Sequence, residues 1–243
     1  MAKFGKWLGG GLGWAFGGPI GAILGFAVGS AIDSVVSVDG DVVVNNPNRN
    51  KPNDFSLGLL VLIAAVMKAD GKVLKSELDY VKQFFLKQFG SAHTQELLIT
   101  LREILKKEIP VQDVCFQIKT YTLYPARLQL IHLLFGVALV DGNVDKEELE
   151  VIKQIASFLG ITTSDFISIK AMFFKEIDGD YKILEIDKDV SDEDVKKSYR
   201  KMAVKYHPDK VSHLGEEFQH SAKEKFQKVQ EAYENIKKQR GMK

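Results

Sequence analysis

The sequence contains little cysteine, little proline and almost no excess of charge. A single cysteine, Cys115, cannot form an internal disulfide, which excludes a disulfide-stapled scaffold and agrees with a reducing compartment. The formal net charge of +1 provides no general basic field, so we expect no nucleic-acid partner. Two of the six prolines, Pro47 and Pro52, lie in an asparagine-rich stretch, which predicts a linker over residues 34–53.

Charged residues are also absent from Trp7 to Ile32, a length that could cross a bilayer as one helix. Glycines recur there at every fourth position and would form one smooth stripe on a helix. We therefore predict that residues 1–33 form a glycine-rich, membrane-associated segment. The same stripe is a candidate surface for homo-oligomer formation. Its glycines are Gly9, Gly13, Gly17, Gly21, Gly25 and Gly29.

Three arrangements of this segment stay open. It could span the membrane once, or enter and leave one leaflet as a hairpin broken near Pro19. It could also be a soluble arm that packs on the following domain. Lys3 and Lys6 precede the segment and Asp33 follows it, so a single span would export the rest of the chain. A hairpin would keep both ends in the cytoplasm.

Residues 54–176 show apolar positions at helical spacing, which predicts an all-α bundle of about seven helices. The predicted stretches are Phe55–Met67, Leu78–Phe89, Leu97–Leu105, Val114–Tyr121, Leu128–Val140, Leu149–Leu159 and Phe166–Phe174.

An Asp-Gly turn occurs twice in this region, 71 residues apart, at Asp70-Gly71 and Asp141-Gly142. Each follows an apolar helix, so the glycine can end that helix in a left-handed conformation. A glutamate follows in the first turn of the next helix, where negative charge is favoured. The motif also copies the second half of a calcium-binding loop, although the acidic first half is missing. A structural turn and a composite divalent-cation site both remain open, the latter drawing on Asp70, Glu77, Asp141, Asp145 and Glu148.

These paired turns resemble the TerB-like domain, which is associated with tellurite resistance and membrane-linked stress systems. The resemblance implies an all-helical interaction module over the central region.

Residues 177–243 are helical in pattern and highly charged. Ser191 is a good N-cap for a helix that we predict from Asp192 to Tyr206. Pro208 ends this helix and leaves His207-Pro208-Asp209 on an exposed turn. A second helix, from about Glu216 to Lys238, can pair antiparallel with the first through apolar residues at spacings of three and four. The first helix also carries a basic face of Lys196, Lys197, Arg200, Lys201 and Lys205.

These elements resemble the J domain almost throughout. The match runs from Asp180-Tyr181-Lys182-Ile183-Leu184, through Lys197 to Ala203 and Tyr206 to Lys210, to the stretch from Lys225-Phe226 through Ala232-Tyr233. The order of membrane segment, TerB-like centre and J domain is similar to that of DjlA-type J-domain proteins. The zinc ribbon and Gly/Phe-rich segment of full DnaJ proteins are absent.

The resemblance implies a co-chaperone that docks on a DnaK-type chaperone and stimulates its ATP hydrolysis. His207, Pro208 and Asp209 would contact the partner at the point that triggers hydrolysis, and the basic face would meet an acidic surface. The expected location is the bacterial inner membrane, with the J domain facing the cytoplasm. Because no nucleophile or metal cluster lies near His207 and Asp209 in sequence, we expect no enzyme activity and no cofactor beyond the cation considered above.

Two alternatives concern the centre. It could be a TerB-like membrane-stress scaffold that binds the client, or a metal-responsive interaction module.

Overall fold

A computed structural model describes residues 19–20, 22–23, 52–174 and 178–242 of the chain. The backbone in these ranges is helical and contains no β-strand. This confirms the predicted all-α fold, a helical bundle followed by a helical hairpin.

The central bundle is built around two helices that are apolar on nearly every side. In the first of them, every side chain from Leu59 to Met67 is buried. A helix of this kind has to lie at the centre of a bundle, since no polar face is available for solvent. The other helices of the bundle pack around these two, which are Pro52–Met67 and Tyr124–Ala138. The six helices are α1 (Pro52–Met67), α2 (Lys75–Leu105), α3 (Val111–Tyr121), α4 (Tyr124–Ala138), α5 (Lys146–Phe158) and α6 (Thr163–Phe173).

Helix α2 contains two of the seven predicted helices. Its backbone leaves helical geometry at Gly90, which has φ 74° and ψ 173°. Such a positive φ is accessible to glycine at little steric cost, so the chain can bend there without ending the helical run. Thr94 Oγ1 then donates to the Gly90 carbonyl at 2.7 Å. The seven predicted stretches therefore fold as six helices, one of them kinked.

The C-terminal unit has the predicted hairpin. It comprises the short helix α7 (Gly179–Ile183), α8 (Asp192–Lys205), a 3₁₀ helix (Pro208–Leu214) and α9 (Glu216–Arg240). Ser191 caps α8 as predicted, its Oγ accepting from the Asp194 amide at 3.2 Å. Helices α8 and α9 pack through their apolar faces, where the Tyr199 and Tyr233 rings stack at 4.3 Å.

Arg240 closes this unit from the end of α9. Its guanidinium donates to the Tyr181 hydroxyl at 3.0 Å and to the Val190 carbonyl at 2.6 Å. It also donates to the Lys188 carbonyl and pairs with Asp192 at 3.2 Å. The planar fork of donors thus ties α7, the following loop and the start of α8 to the end of the last helix.

The bundle and the hairpin pack against each other. Helix α7 lies on α6, where Ser168 Oγ donates to the Ile183 carbonyl at 2.8 Å. Helix α9 lies across α2 and α4, and Phe218 meets Phe84 edge to face at 5.5 Å between ring centroids. The two units therefore share one continuous apolar core.

Of the glycine-rich segment, the structure describes four residues. Ile20 is buried in the central core, and its amide donates to Gln117 Oε1 on α3 at 2.9 Å. Within the described ranges, no helix has both the length and the apolar character that crossing a membrane requires. The glycine stripe as a whole and most of the predicted linker lie outside the described residues.

Candidate functional site

The turn between α8 and the 3₁₀ helix presents His207, Pro208 and Asp209 at the surface. His207 has an extended backbone, and its Nδ1 accepts from the Asp209 amide at 3.3 Å. Pro208 begins the 3₁₀ helix, where its missing N–H costs no hydrogen bond. The His207 side chain is 50% exposed and that of Asp209 is 88% exposed. Both are therefore available to a partner.

The ring of His207 is held by the second helix of the hairpin. It meets Phe226 of α9 edge to face, with 6.1 Å between the ring centroids. Tyr206, the residue before it, is buried in the core. The imidazole thus has a defined direction while its outer edge faces solvent.

Most of the predicted basic face of α8 is open to solvent. Lys197, Arg200 and Lys201 are exposed, and Lys196 is half-buried. Lys201 also lies 3.4 Å from Glu185 Oε2, with 67% of its side chain exposed. The exposed cations form one surface that leads along α8 toward the His207 turn.

Lys205 differs from the other four. Only 20% of its side chain is exposed, and its ammonium pairs with Asp165 of α6 and with Glu185, the latter at 2.7 Å. These two carboxylates raise the pKa of Lys205 even though burial acts in the opposite direction. Lys205, which was predicted to contact the partner, is thus held by an ion pair with the central bundle.

A second set of polar contacts crosses the interface between the two units. The Gln88 side chain of α2 donates to the Leu214 carbonyl at 2.7 Å and accepts from the Glu217 amide at 3.0 Å. Ser221 of α9 lies 3.2 Å from His132 Nδ1 of α4. Burial lowers the pKa of His132 well below its usual range, and the charge of Lys225 adds to this. His132 is therefore a neutral packed residue at physiological pH.

Lys225 of α9 is fully buried at this interface. Its ammonium donates to the Leu128 carbonyl of α4 at 3.2 Å and lies 5.9 Å from the Tyr206 ring centroid. Among the residues described, no carboxylate forms an ion pair with it. Burial lowers the pKa of Lys225 well below its usual range, although Glu224 acts in the opposite direction. Docking of the hairpin on the bundle therefore desolvates the Lys225 ammonium without an ion pair, which is energetically unfavourable.

The two Asp-Gly turns lie side by side and line one cavity of about 30 Å³. Gly71 and Gly142 have φ of 80° and 89°, which confirms the predicted left-handed glycines. In each turn the aspartate accepts from the amide two residues later, Asp70 from Lys72 at 2.8 Å and Asp141 from Asn143 at 3.1 Å. The predicted structural turns are thus present in both copies.

The glutamates of the repeat meet in this cavity. Glu77 accepts from the Leu74 amide at 2.8 Å and Glu148 from the Asp145 amide at 3.1 Å, each at the start of its helix. Burial raises the pKa of Glu77 to about 7 against the Leu74 hydrogen bond, and the hydrogen bond and charge of Glu148 contribute further. Burial also raises the pKa of Glu148. Both carboxyl groups therefore hold a proton to higher pH than a solvated glutamate does.

The five predicted metal ligands, Asp70, Glu77, Asp141, Asp145 and Glu148, therefore all line the same cavity. In the ranges with a described structure, however, no group of three or more His, Cys, Asp or Glu side chains is placed to hold a metal ion. The composite cation site stays a prediction.

Several residues of the interface between the bundle and the hairpin were not predicted from the sequence. Phe218 continues the apolar spacing of α9 and could have been included from its position alone. Lys225 lies within the stretch that resembles the J domain, but nothing in the sequence indicated that Lys225 or Asp165 is buried, because a charged side chain on a helix is normally solvated. Their burial depends on how two units meet, which local spacing does not specify.

Comparison with known proteins agrees with this architecture. The DnaJ domain model matches residues 180–241, which defines the chain as a J-domain protein. The model of tellurite resistance protein TerB matches residues 56–171, and that of the co-chaperone DjlA transmembrane domain matches residues 1–49. Along the chain the order is DjlA transmembrane domain, TerB domain and DnaJ domain, and with this order the chain belongs to the DjlA-type J-domain proteins.

Individual relatives show the same pattern. The chain is 28% identical to the co-chaperone protein DjlA of Vibrio vulnificus, over 79% of this chain and 80% of that protein. It is 26% identical to the co-chaperone protein DjlA of Shewanella oneidensis, over 80% and 81% respectively. A stretch of 54 residues is 48% identical to the chaperone protein DnaJ of Fusobacterium nucleatum, covering 22% of this chain and 14% of that protein. No solved structure matches the chain.

Proposed function

We propose that the chain is a co-chaperone that docks on a DnaK-type chaperone through its J domain and stimulates ATP hydrolysis by that partner. The observation that carries this proposal is the exposed His207-Pro208-Asp209 turn beside the open basic surface of α8. The names of its relatives, co-chaperone protein DjlA and chaperone protein DnaJ, support the same class of activity.

The geometry suggests a division of labour along α8. The exposed cations attract an acidic surface and speed the encounter, and this attraction weakens as salt screens it. The half-exposed imidazole of His207, held in direction by Phe226, then provides a short-range contact at the end of the helix. The chain acts as a regulator in this scheme, and the partner binds and hydrolyses the ATP.

Tethering to the cytoplasmic face of the bacterial inner membrane is part of the proposal. The match of residues 1–49 to the DjlA transmembrane domain supports an anchor, and the need of a DnaK-type partner for ATP favours the cytoplasmic side. Self-association through the glycine stripe stays a prediction.

The test is single-turnover ATP hydrolysis by a bacterial DnaK-type chaperone in the presence of the full chain in detergent. Changing His207→Gln should reduce stimulation by about tenfold or more, the loss typical of a central contact residue. His213→Gln is the matched control, since it makes the same change at an exposed site in the 3₁₀ helix that follows His207. Equal stimulation by all three proteins would contradict the proposal, as would none by the folded native chain.

We propose a second function for the paired turns, binding of a hard divalent cation such as Ca²⁺. Its support is that both turns place carboxylates around one cavity, where a cation would relieve the repulsion between Glu77 and Glu148. Ca²⁺ should then raise the melting temperature of the native chain, and the double change Asp141→Ala, Glu148→Ala should abolish that increase. Replacing the exposed Glu147 and Glu150 by alanine instead should leave the increase intact. A melting temperature insensitive to Ca²⁺ would leave the turns with a structural role.

A further inference from the structure

The central bundle engages one of the five cations expected to meet the chaperone. Lys197, Lys201 and Lys205 repeat at a spacing of four and so follow one line along α8. The first two are exposed. The third, nearest to His207, is drawn out of this surface by Asp165 of α6 and by Glu185.

Asp165 is well placed to hold this lysine. Its Oδ2 accepts from the Tyr124 hydroxyl at 2.6 Å and from the Thr162 hydroxyl at 2.7 Å. Thr162 is also the N-cap of α6 and accepts from the Asp165 amide at 3.2 Å. These contacts fix the carboxylate and direct Oδ1 toward Lys205.

Oδ1 depends on Lys205 for its neutralisation. It is buried and, apart from this ion pair, has no hydrogen-bond partner among the residues described. A buried carboxylate oxygen that loses its cation keeps the cost of desolvation without the attraction that offset it. Movement of Lys205 toward another acidic surface is therefore opposed by the central bundle.

We propose that Asp165 competes with the chaperone for Lys205 and so lowers the affinity of the J domain while the hairpin is docked on the bundle. This inference rests on the proposed function. In chemical terms, Asp165 with Glu185 is an internal substitute for the acidic surface of the partner. An event that pulls α8 away from α6 would free Lys205 and add its charge to the exposed ones.

The alternative is that Asp165 positions Lys205 for the partner. The two roles predict opposite signs. A competitor that is removed leaves tighter binding, whereas a positioning residue that is removed leaves weaker binding.

The experiment measures the dissociation constant of the full chain, in detergent, for an ATP-bound bacterial DnaK-type chaperone. Asp165→Asn keeps the shape of the side chain and removes its charge. We expect about two- to fivefold tighter binding, the range for one exposed charge pair. Lys205→Ala in the native background gives the reference affinity against which the double variant is compared.

The double variant Asp165→Asn, Lys205→Ala separates competition from structural damage. Tighter binding that disappears when Lys205 is removed acts through Lys205, whereas a structural effect would persist. Glu185→Gln is a second route to the same result, since it loosens Lys205 without touching Tyr124 or Thr162. Because Glu185 also pairs with Lys201, this variant is compared with Glu185→Gln, Lys205→Ala, in which any tightening that persists acts through Lys201. It should also tighten binding, and it serves if Asp165→Asn does not fold.

Unchanged or weaker binding by a folded Asp165→Asn variant, or tightening that survives Lys205→Ala, would overturn the competition. These outcomes are distinct from failure of the proposed function, in which the native chain itself would not stimulate the chaperone.

Discussion

Glu77 and Glu148 occupy equivalent positions of the internal repeat and line one small cavity. The stability of the folded chain therefore depends on whether these glutamates are protonated. The pKa of Glu77 is raised by burial to about 7, so the folded chain holds a proton that the unfolded chain has released above its usual pKa of 4.5. Stability from this group is thus fully present below about pH 4.5 and is lost as the pH rises through about 7.

Glu77→Gln should remove this loss. The amide is neutral at all pH values, can accept from the Leu74 amide and can donate to Glu148. In a buffer with chelator at pH 8, the variant should be more stable than the native chain by about 1–3 kcal/mol, and the two should converge near pH 4.5. Thermal unfolding followed by circular dichroism at several pH values measures this.

Glu147→Gln is the control, because it makes the same change at an exposed position one residue before Glu148. A native chain as stable at pH 8 as the Glu77→Gln variant would show that Glu77 has no raised pKa in the folded protein.

At the scale of helices, the pattern of apolar residues predicted the order and approximate limits of nearly every element. Ser191 and Pro208 located both ends of α8, because a cap and a helix breaker act on their immediate neighbours. Gly90 was not recognised as a kink, since a glycine within a periodic stretch can end, bend or continue a helix, and only tertiary packing decides among these.

The candidate site shows the same limit. The exposed His207 turn and the basic face follow from local spacing and were predicted. The ion pairing and partial burial of Lys205 depend on Asp165, which lies forty residues away in sequence, and no periodicity joins the two. Likewise, the internal repeat allowed the two Asp-Gly turns to face each other, but only the packed bundle shows that they line one cavity.

At the scale of the whole molecule, the docking of the hairpin on the bundle buries the ammonium group of Lys225, which is unfavourable. Its pKa is lowered well below 10.5, mainly by burial, so the folded chain binds fewer protons than the unfolded chain. Stability therefore rises with pH between the folded and the unfolded pKa of this group.

Lys225→Met should stabilise the docked arrangement. Methionine fills similar space without a charge, and replacement of a poorly compensated buried charge by an apolar side chain is commonly neutral or stabilising. We expect a melting temperature a few degrees higher at pH 7, with a smaller increase between pH 7 and 9.5 than in the native chain. The exposed Lys223→Met is the control. A Lys225→Met variant that melts well below the native chain would show that the Leu128 hydrogen bond outweighs the cost of burial.

The packing of α7 on α6 and of α9 on α2 and α4 fixes where the His207 turn points relative to the bundle. A J domain on a flexible tether samples every orientation, and its effective concentration near a bound client is an average over them. Here the turn keeps a constant position relative to the bundle. Under the proposed function, a chaperone that docks on His207 would therefore approach the bundle from one direction, and its distance from any client bound there would be set by the protein's own dimensions.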